Sequence, residues 1–505
     1  MSDTSHHRVP YSVGEGGVAA RVCRPNMAMA MRLRFTRCHV ALVLGCLAVA
    51  TAATAQHVDT RAIDAVFSPW DRSDSPGVSV AVMRRGKIIF SRGSGSAQLE
   101  YEIPITPATV FHAASVSKQF TALAVALLTA DGTLSLDDEI QTHLTYVPRF
   151  ARPVTVRQLI HHTSGIRDQW ELLAMAGWRL DDVITMDHIR AMIRHQRELN
   201  FEPNSEHLYS NMGYTLLAEL VAAVSGQSFA EFTQTRIFEP LGMSRTHFHD
   251  DHQMIVRHRA YSYTPSDAGG YRNAVLSFAN AGATSLFTTA EDLVRWLDNF
   301  RHARVGGPSI IEQMQERAVL NDGEQLSYAH GIMIGTYRGT KTVFHGGADA
   351  GFRSYVVWFE EPAVGIAVLA NLGSIQPQRL AHEVADVVMA DVLQEATAAD
   401  STRDKGRGQG TRRPFAAFSD RELTNYTGVY YSDELGTFYT LEVDGKALVA
   451  RHRRHGDIPL SYVREDEFRG NRWFFHQVKF ERKAGLVTGL RVTGSRVRNL
   501  WFAKR

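Results

Sequence analysis

The run from Thr121 to Leu128, entered through Ala113, Ala114 and Ser115 and closed by Asp131 and Gly132, limits what this chain can fold into. Beyond Thr121 it offers no polar stripe, so a helix formed here is apolar on every side and has to lie inside a core. The approach from Val110 leads into a tight turn carrying Ser115. Lys118 follows three residues later, so at a helix start the two side chains share one face. A serine hydroxyl is a poor nucleophile without a base beside it. A lysine is that base only where burial or a neighbouring cation lowers its pKa. An alanine-lined helix start is dry enough for this, and its unpaired N–H groups and positive dipole end suit an anion forming beside Ser115. Alone, the S-x-x-K pattern is weak evidence, because roughly one or two matches arise by chance in a chain this long.

At 505 residues the chain is too long for one ordinary core, so two domains are expected. It is 44% hydrophobic and 21% charged, a globular composition. The net charge of +2 misleads, because the first 55 residues hold six arginines and two acids and leave 49 basic against 51 acidic residues. Nucleic acid is therefore not an expected partner. Residues 1–55 read as a leader. Arg32, Arg34 and Arg37 form a basic region, Val40 to Ala50 an apolar core too short to span a bilayer, and Ala53 to Ala55 an A-x-A site before Gln56. The expectation is an exported protein, periplasmic or secreted, with no stable membrane span after cleavage near Ala55. Residues 1–26 resemble neither signal nor fold, and Met27, Met29 or Met31 is the more natural start. Cys23, Cys38 and Cys46 all fall in the leader. The mature chain would then have no disulfide, thiol nucleophile or cysteine metal site, and neither metal nor cofactor is expected.

Residues 56–395 read as one domain. Val58 to Phe67 is an expected helix, and Gly77 to Met83 with Lys87 to Ser91 are strands turned at Arg85 and Gly86. Further helices are expected over Thr155 to Ile160, Thr215 to Ser225, Phe229 to Phe238 and Ala290 to Phe300. Strands follow at Phe352 to Phe359 and Val364 to Ala370, then an amphipathic helix carrying Leu380, Val384, Val387, Val388 and Val392. Hairpin, many helices, then strands again imply an α/β sandwich, an antiparallel sheet flanked by helices with a helical subdomain, its strands drawn from both ends. Residues 396–414 have linker composition. Residues 415–505 change to period two, at Phe438 to Val443, Ala447 to Ala450, Trp473 to Phe480 and Leu490 to Val492. They read as a small antiparallel barrel. Trp170 and Trp178 read as core residues placed where a pocket rim would be.

Two more motifs follow Ser115 and Lys118, namely Tyr209 with Asn211 and His345 with Gly346 and Gly347, spaced 94 residues after Ser115 and then a further 136. Ser115 would attack a carbonyl while Lys118 and Tyr209 share the proton transfers, the lysine charge favouring a phenolate. Asn211 would hold Lys118 or a substrate amide. His345 and Gly347 would lie along bound substrate on a strand beside the site, where missing side chains allow close backbone approach. The amides of Ser115 and Ala348 would form the oxyanion hole.

These motifs resemble the serine β-lactamase-related family: class C β-lactamases, D-alanyl-D-alanine carboxypeptidases, D-aminopeptidases and family VIII esterases. The likeness extends to Gly95, Ala97 and Glu100, to Pro104 and Thr106, to Leu159 through Ile166 and to Pro240 through Met243, covering roughly Ile63 to Leu393. It implies a β-lactamase/transpeptidase-like fold and an acyl-enzyme on Ser115, and the barrel resembles lipocalin-like domains appended to some members. One departure stands out. The family's β-lactamases carry K-T-G where this chain has His345, Gly346 and Gly347, and a histidine mostly neutral at pH 7 anchors a carboxylate poorly. H-x-G is more typical of the peptidase and esterase members. The expected function is a serine hydrolase acting on a small ester, amide or D-amino-acid-containing peptide. The alternatives are a true β-lactamase or carboxypeptidase, and a non-catalytic binding protein of the same fold. Oligomeric state and the barrel's role are not legible.

Overall fold

The computed structural model describes residues 59–395 and 423–505, so the expected leader and linker lie outside the described residues. All described residues belong to one compact unit, His57–Arg505.

The central sheet has six strands, all antiparallel. They are β1 (Val78–Arg84), β2 (Lys87–Ser94), β3 (Met333–Tyr337), β4 (Thr340–Asp349), β5 (Phe352–Phe359) and β6 (Val364–Ala370), in spatial order β3-β4-β5-β6-β1-β2. The two ends of this part of the chain meet where β1 pairs β6, as the sequence implied. The β1–β2 hairpin turns through Arg85 and Gly86, both at positive φ, the backbone that matches strand twist.

Alternation along β1 sorts the two faces. Val78, Val80 and Val82 pack with α1 (Thr60–Phe67), while Ala81 and Met83 face the larger core that contains α2 (Ser117–Ala130). Within α2, residues 117 to 128 are all buried, as an all-round apolar helix requires. Beyond it lie α3 (Gln169–Met175), α4 (Asn211–Ser225) and α5 (Ala290–His302). A last helix, α6 (Pro377–Val388), covers the α1 face through Leu380, Val384 and Val388. Val392 falls beyond its end and is exposed.

Other boundaries differ from expectation too. Helix α4 begins at Asn211 rather than Thr215, because Asp168 accepts the Asn211 amide and caps the extra turn from a distant segment. The segment from Phe229 is broken into short helical pieces ending at Gly242, which sits at φ +68°. Trp473 lies in a turn rather than opening a strand.

The C-terminal part is a closed antiparallel barrel of eight strands, β7 (Gly428–Ser432), β8 (Thr437–Asp444), β9 (Ala447–Arg451), β10 (Ile458–Arg464), β11 (Glu467–Arg472), β12 (Phe475–Lys483), β13 (Leu486–Thr493) and β14 (Leu500–Lys504). Rings fill its interior: Tyr439 packs at a tilt against Phe475 at 4.9 Å and meets Phe502 edge-on at 5.6 Å. Four of these strands, β7, β10, β11 and β14, are not distinct in the sequence pattern.

The barrel meets the body along a polar seam. Arg167, buried, donates to Glu434 at 2.7 Å and to the Arg498 carbonyl at 2.9 Å. Glu171, also buried, accepts from the amide of Ser495 at 2.6 Å and from that of Arg496. Asn200 donates to the Arg496 carbonyl and accepts from the Arg498 amide, both at 2.8 Å. Buried charges are tolerated only when paired in this way. No helix of the described residues is long and apolar enough to cross a membrane.

Candidate active site

Ser115 occupies a single helical turn, Ala114–Val116, just ahead of α2. Ala114 sits at φ +48°, a left-handed backbone that costs a non-glycine residue on the order of 1 kcal/mol. Local hydrogen bonds hold it there. Ser117 Oγ donates to the Ala114 carbonyl at 2.5 Å and accepts from the Leu286 amide at 3.1 Å, while Ser354 Oγ donates to the Ala113 carbonyl at 2.7 Å. The turn is thereby clamped between β5 and the segment preceding α5.

Lys118 lies in the first turn of α2 with no exposed surface. Its Nζ donates to Ala283 O at 2.6 Å, Asn211 Oδ1 at 2.9 Å and Ser115 Oγ at 3.2 Å. Burial depresses its pKa from the ordinary lysine value to about 7, against the opposing pull of Asp349 and Asp168. Asn211 is oriented from behind, its Nδ2 donating to Asp168 Oδ2 at 2.7 Å.

The Tyr209 hydroxyl is buried without a well-formed hydrogen bond, and its ring centroid lies 4.8 Å from Lys118 Nζ. Burial pushes its phenol well up, with the Ser115 hydroxyl and the Arg496 charge pulling back only in part. The resting side chain is thus a phenol, not the phenolate the lysine's proximity suggested. Desolvation outweighs both the Ser115 hydroxyl and the Arg496 charge. His162 packs at a tilt against this ring, centroids 4.1 Å apart, and its Nδ1 accepts from the Ser210 amide.

His345 projects from β4. Its Nδ1 donates to the Gly346 carbonyl at 2.6 Å, and its Nε2 faces the Tyr328 hydroxyl at 3.2 Å. Burial, followed by the charge of Lys118, lowers its pKa to about 4, so it is neutral at pH 7. Gly347 has no room for a side chain: a Cβ there would meet Ser354 Oγ at 2.3 Å, Ala113 O at 2.4 Å and Ser115 N at 3.0 Å. β4 therefore runs directly against the Ser115 turn. Ser115, Tyr209, Asn211, His345, Gly347 and Ala348 all line one cleft of about 660 Å³. With Lys118 bonded to Ser115, every catalytic and binding residue expected from the sequence is brought together, and Trp170 joins the cleft wall while Trp178 packs away from it on His188.

The structure adds residues that sequence reasoning missed. Asp168, the N-cap of α3, fixes Asn211. Asp349, also in the cleft wall, joins His112 at 2.9 Å and Thr284 at 2.5 Å. From the barrel comes Arg496, whose guanidinium lies 4.9 Å over the Tyr209 ring. Asp168 left a faint signal as an acidic residue ahead of a helical stretch. Arg496 left none, since nothing in a barrel turn announces which surface it meets. No group of three or more His, Cys, Asp or Glu among the described residues is arranged to hold a metal ion.

The model of the beta-lactamase family matches residues 61–389. A D-aminopeptidase of Gluconobacter oxydans is 28% identical over 301 residues, 59% of this chain and 56% of that protein. The chain spans little more than half the length of the curated relatives it matches. Among solved structures, the octameric penicillin-binding protein homologue from Pyrococcus abyssi covers 88% of this chain and 100% of its own, at TM-score 0.60 and 22% identity. The D-amino acid amidase from Ochrobactrum anthropi SV3 covers 66% and 99%, at TM-score 0.57 and 23% identity. These likenesses in structure concern the fold. With the family model matched over more than half its length, the chain belongs to the beta-lactamase family.

Proposed function

We propose that the protein is a serine hydrolase that cleaves small amides or esters of D-amino acids through an acyl-enzyme on Ser115. The observation that carries this reading is the setting of Lys118. In its neutral form the two remaining N–H bonds are taken by Ala283 O and Asn211 Oδ1, and the lone pair is left facing Ser115 Oγ. Ser115 Oγ attacks the substrate carbonyl as its proton passes to Lys118 Nζ. The carbonyl oxygen, now negative, is received by the amides of Ser115 and Ala348. Tyr209, held as a phenol, gives its proton to the leaving nitrogen or oxygen as the C–N or C–O bond breaks, and recovers one from Lys118. Water then attacks the acyl-enzyme by the reverse relay and releases the acid and Ser115. Asn211 and His345 position Lys118 and the substrate. At His345, where the family's β-lactamases carry a lysine, this chain presents a neutral ring, which favours this reading over a true β-lactamase. The D-amino-acid preference draws on the activity named for the Gluconobacter oxydans relative.

The test is intact mass after exposure to D-alanine p-nitroanilide, its L-isomer, a p-nitrophenyl ester and a fluorescent penicillin, for wild type and Ser115→Ala. Turnover or a one-acyl adduct in wild type only, faster with the D- than the L-anilide, is expected. Equal labelling of Ser115→Ala would sink the mechanism. No adduct with any reagent would favour a binding protein of this fold, and preferential trapping by penicillin would favour a β-lactamase or carboxypeptidase. We further propose export through the leader, with Gln56 as the mature N-terminus, which N-terminal sequencing of the secreted chain checks.

A further inference from the structure

We propose that Asp349, the last residue of β4, is a positioning residue that holds three separate carriers of the catalytic atoms in one register through His112 and Thr284. The roles of those atoms rest on the hydrolase reading.

The three side chains close a triangle. His112 Nε2 donates to Asp349 Oδ2 at 2.9 Å, Thr284 Oγ1 donates to the same oxygen at 2.5 Å, and Nε2 and Oγ1 lie 3.0 Å apart. Each corner belongs to a different part of the site. His112 ends the short strand Phe111–His112, and Ala113, Ala114 and Ser115 follow it directly. Thr284 adjoins Ala283, whose carbonyl accepts the shortest of the three hydrogen bonds made by Lys118 Nζ, at 2.6 Å. Asp349 adjoins Ala348, whose amide receives the oxyanion in the hydrolase reading, and stands two residues past Gly347, where β4 runs against the Ser115 turn. The Ser117 and Ser354 hydroxyls clamp that turn to the Leu286 segment and to β5. The triangle adds the end of β4, and so ties the nucleophile, the base and the oxyanion amide together.

Most of the triangle is dry and fixed by packing. The His112 side chain has no exposed surface, Thr284 is buried, and the imidazole packs against Phe287 and Phe352, ring centroids 5.4 and 5.7 Å away. Asp349 differs, because its side chain keeps 17% of its surface and lines the cleft with Ser115. Its charge therefore acts on the site that its hydrogen bonds hold. Lys118 is faced by the carboxylates of Asp349 and Asp168, the guanidinium of Arg496, the rings of His162 and His345 and the phenols of Tyr209 and Tyr214. After burial, which lowers the pKa of the amine, the largest influence is Asp349, which holds it up. A stronger base takes the Ser115 proton more readily. Geometry and charge thus come from one residue but are separable, since Thr284 shares only the geometry.

The test follows hydrolysis of p-nitrophenyl acetate from pH 5 to 9 in wild type and four variants. Thr284→Val removes one donor and keeps the charge, so kcat should fall about tenfold while KM and the rising limb of kcat/KM with pH stay in place. Asp349→Asn removes the charge as well as an acceptor, so kcat should fall at least as far and the limb should move to lower pH. Thr284→Ser restores the donor and His112→Gln keeps one near the place of Nε2, and both should recover most of the wild-type kcat. The Lys118 titration is read without turnover from its Cε carbon resonance in lysine-labelled protein, assigned with Lys118→Arg, and should move to lower pH in Asp349→Asn alone. Wild-type kcat in both Thr284→Val and Asp349→Asn overturns the proposal. So does a change confined to KM, which would make Asp349 a contact of the substrate, or a loss in Thr284→Val that Thr284→Ser does not recover, which would make it one of packing. A Lys118 resonance that shifts in Asp349→Asn, with no turnover in wild type, leaves the triangle standing and removes the hydrolase. Turnover in wild type, with kcat and resonance untouched by Asp349→Asn, does the reverse. Melting curves identify any variant that fails to fold. Asp349→Glu, which keeps the charge and displaces the oxygen, then replaces Asp349→Asn and should lower kcat without moving the limb.

Discussion

Asn211 donates twice to a single oxygen of Asp168, from its backbone amide at 2.8 Å and from its side chain at 2.7 Å. The double contact fixes which end of the Asn211 amide faces Lys118. It also starts α4 where it starts, so one carboxylate sets both a helix boundary and a side-chain orientation. Asp168→Ala frees the amide to rotate, and its nitrogen then opposes Lys118. We expect kcat to fall on the order of a hundredfold with a smaller change in KM. Stability should fall by about 2–3 kcal/mol from the donors left unpaired in a buried site. Steady-state kinetics beside a thermal melt check both. Full activity in Asp168→Ala would show that Asn211 does not need this support.

The pH profile follows from Lys118. The neutral amine is the working base, so kcat/KM should rise with pH through a limb near 7 and level off above about 8. Stability moves by the same linkage. The folded-state pKa lies below the unfolded one, so between about 7 and the ordinary lysine value the unfolded chain binds the extra proton. Stability therefore rises with pH across that window from this group. Below pH 7 the amine is protonated in both states, and its contribution is flat. Lys118→Arg, charged at every accessible pH, should abolish the limb and cost at least a thousandfold in kcat/KM. Rate profiles from pH 5 to 9 decide it.

Adjacent glycines on β4 should behave differently. A methyl on Gly347 would collide with Ser354 Oγ, the Ala113 carbonyl and the Ser115 amide. At Gly346 the nearest atoms are 3.6 Å away. Gly347→Ala has to push β4 off the nucleophile turn, which we expect to cost about 2 kcal/mol and at least a tenfold loss of rate. Gly346→Ala should melt within about 2 °C of wild type. Equal melting points for the two variants would contradict the close approach of β4 to the Ser115 turn.

How far the sequence reached is visible in these residues. The hairpin at Arg85 and Gly86, the strands from Phe352 and Val364 and the apolar run of α2 from Ala122 to Leu128 were legible because each is specified by its own residues. The nearness of Ser115, Lys118, Tyr209, Asn211 and His345 was legible through the resemblance. What stayed hidden depends on contacts between distant segments. The capping of α4 by Asp168 crosses 43 residues and the placing of Arg496 over Tyr209 crosses a whole barrel. The Tyr209 protonation state was misjudged for a related reason, because desolvation is a property of everything packed around a ring. The four missed barrel strands are short or interrupted in their alternation, as in Glu467–Arg472 with its shifted register.

The seam gives a prediction that does not touch the cleft side chains. Gly494 has no Cβ because one would lie 2.1 Å from Glu171 Oε1, the atom that accepts from Ser495. Gly494→Ala must therefore either displace Glu171 or lift the turn, and lifting the turn withdraws Arg496 from Tyr209. Both routes start from a carboxylate that burial pushes up and its two amide hydrogen bonds pull down, so the barrel's grip and the charge of Glu171 are coupled. The variant should move the limb of kcat/KM to higher pH, because the Arg496 charge helps hold the Lys118 pKa down. Glu171→Gln keeps the shape but replaces one acceptor oxygen with a donor facing an amide, and should shift the limb by a smaller amount. Hydrogen exchange at Ser495 and Arg496 would rise in both variants, in proportion to that shift. If the limb stayed in place with those amides exchanging freely, the turn would not be what holds Arg496 in place.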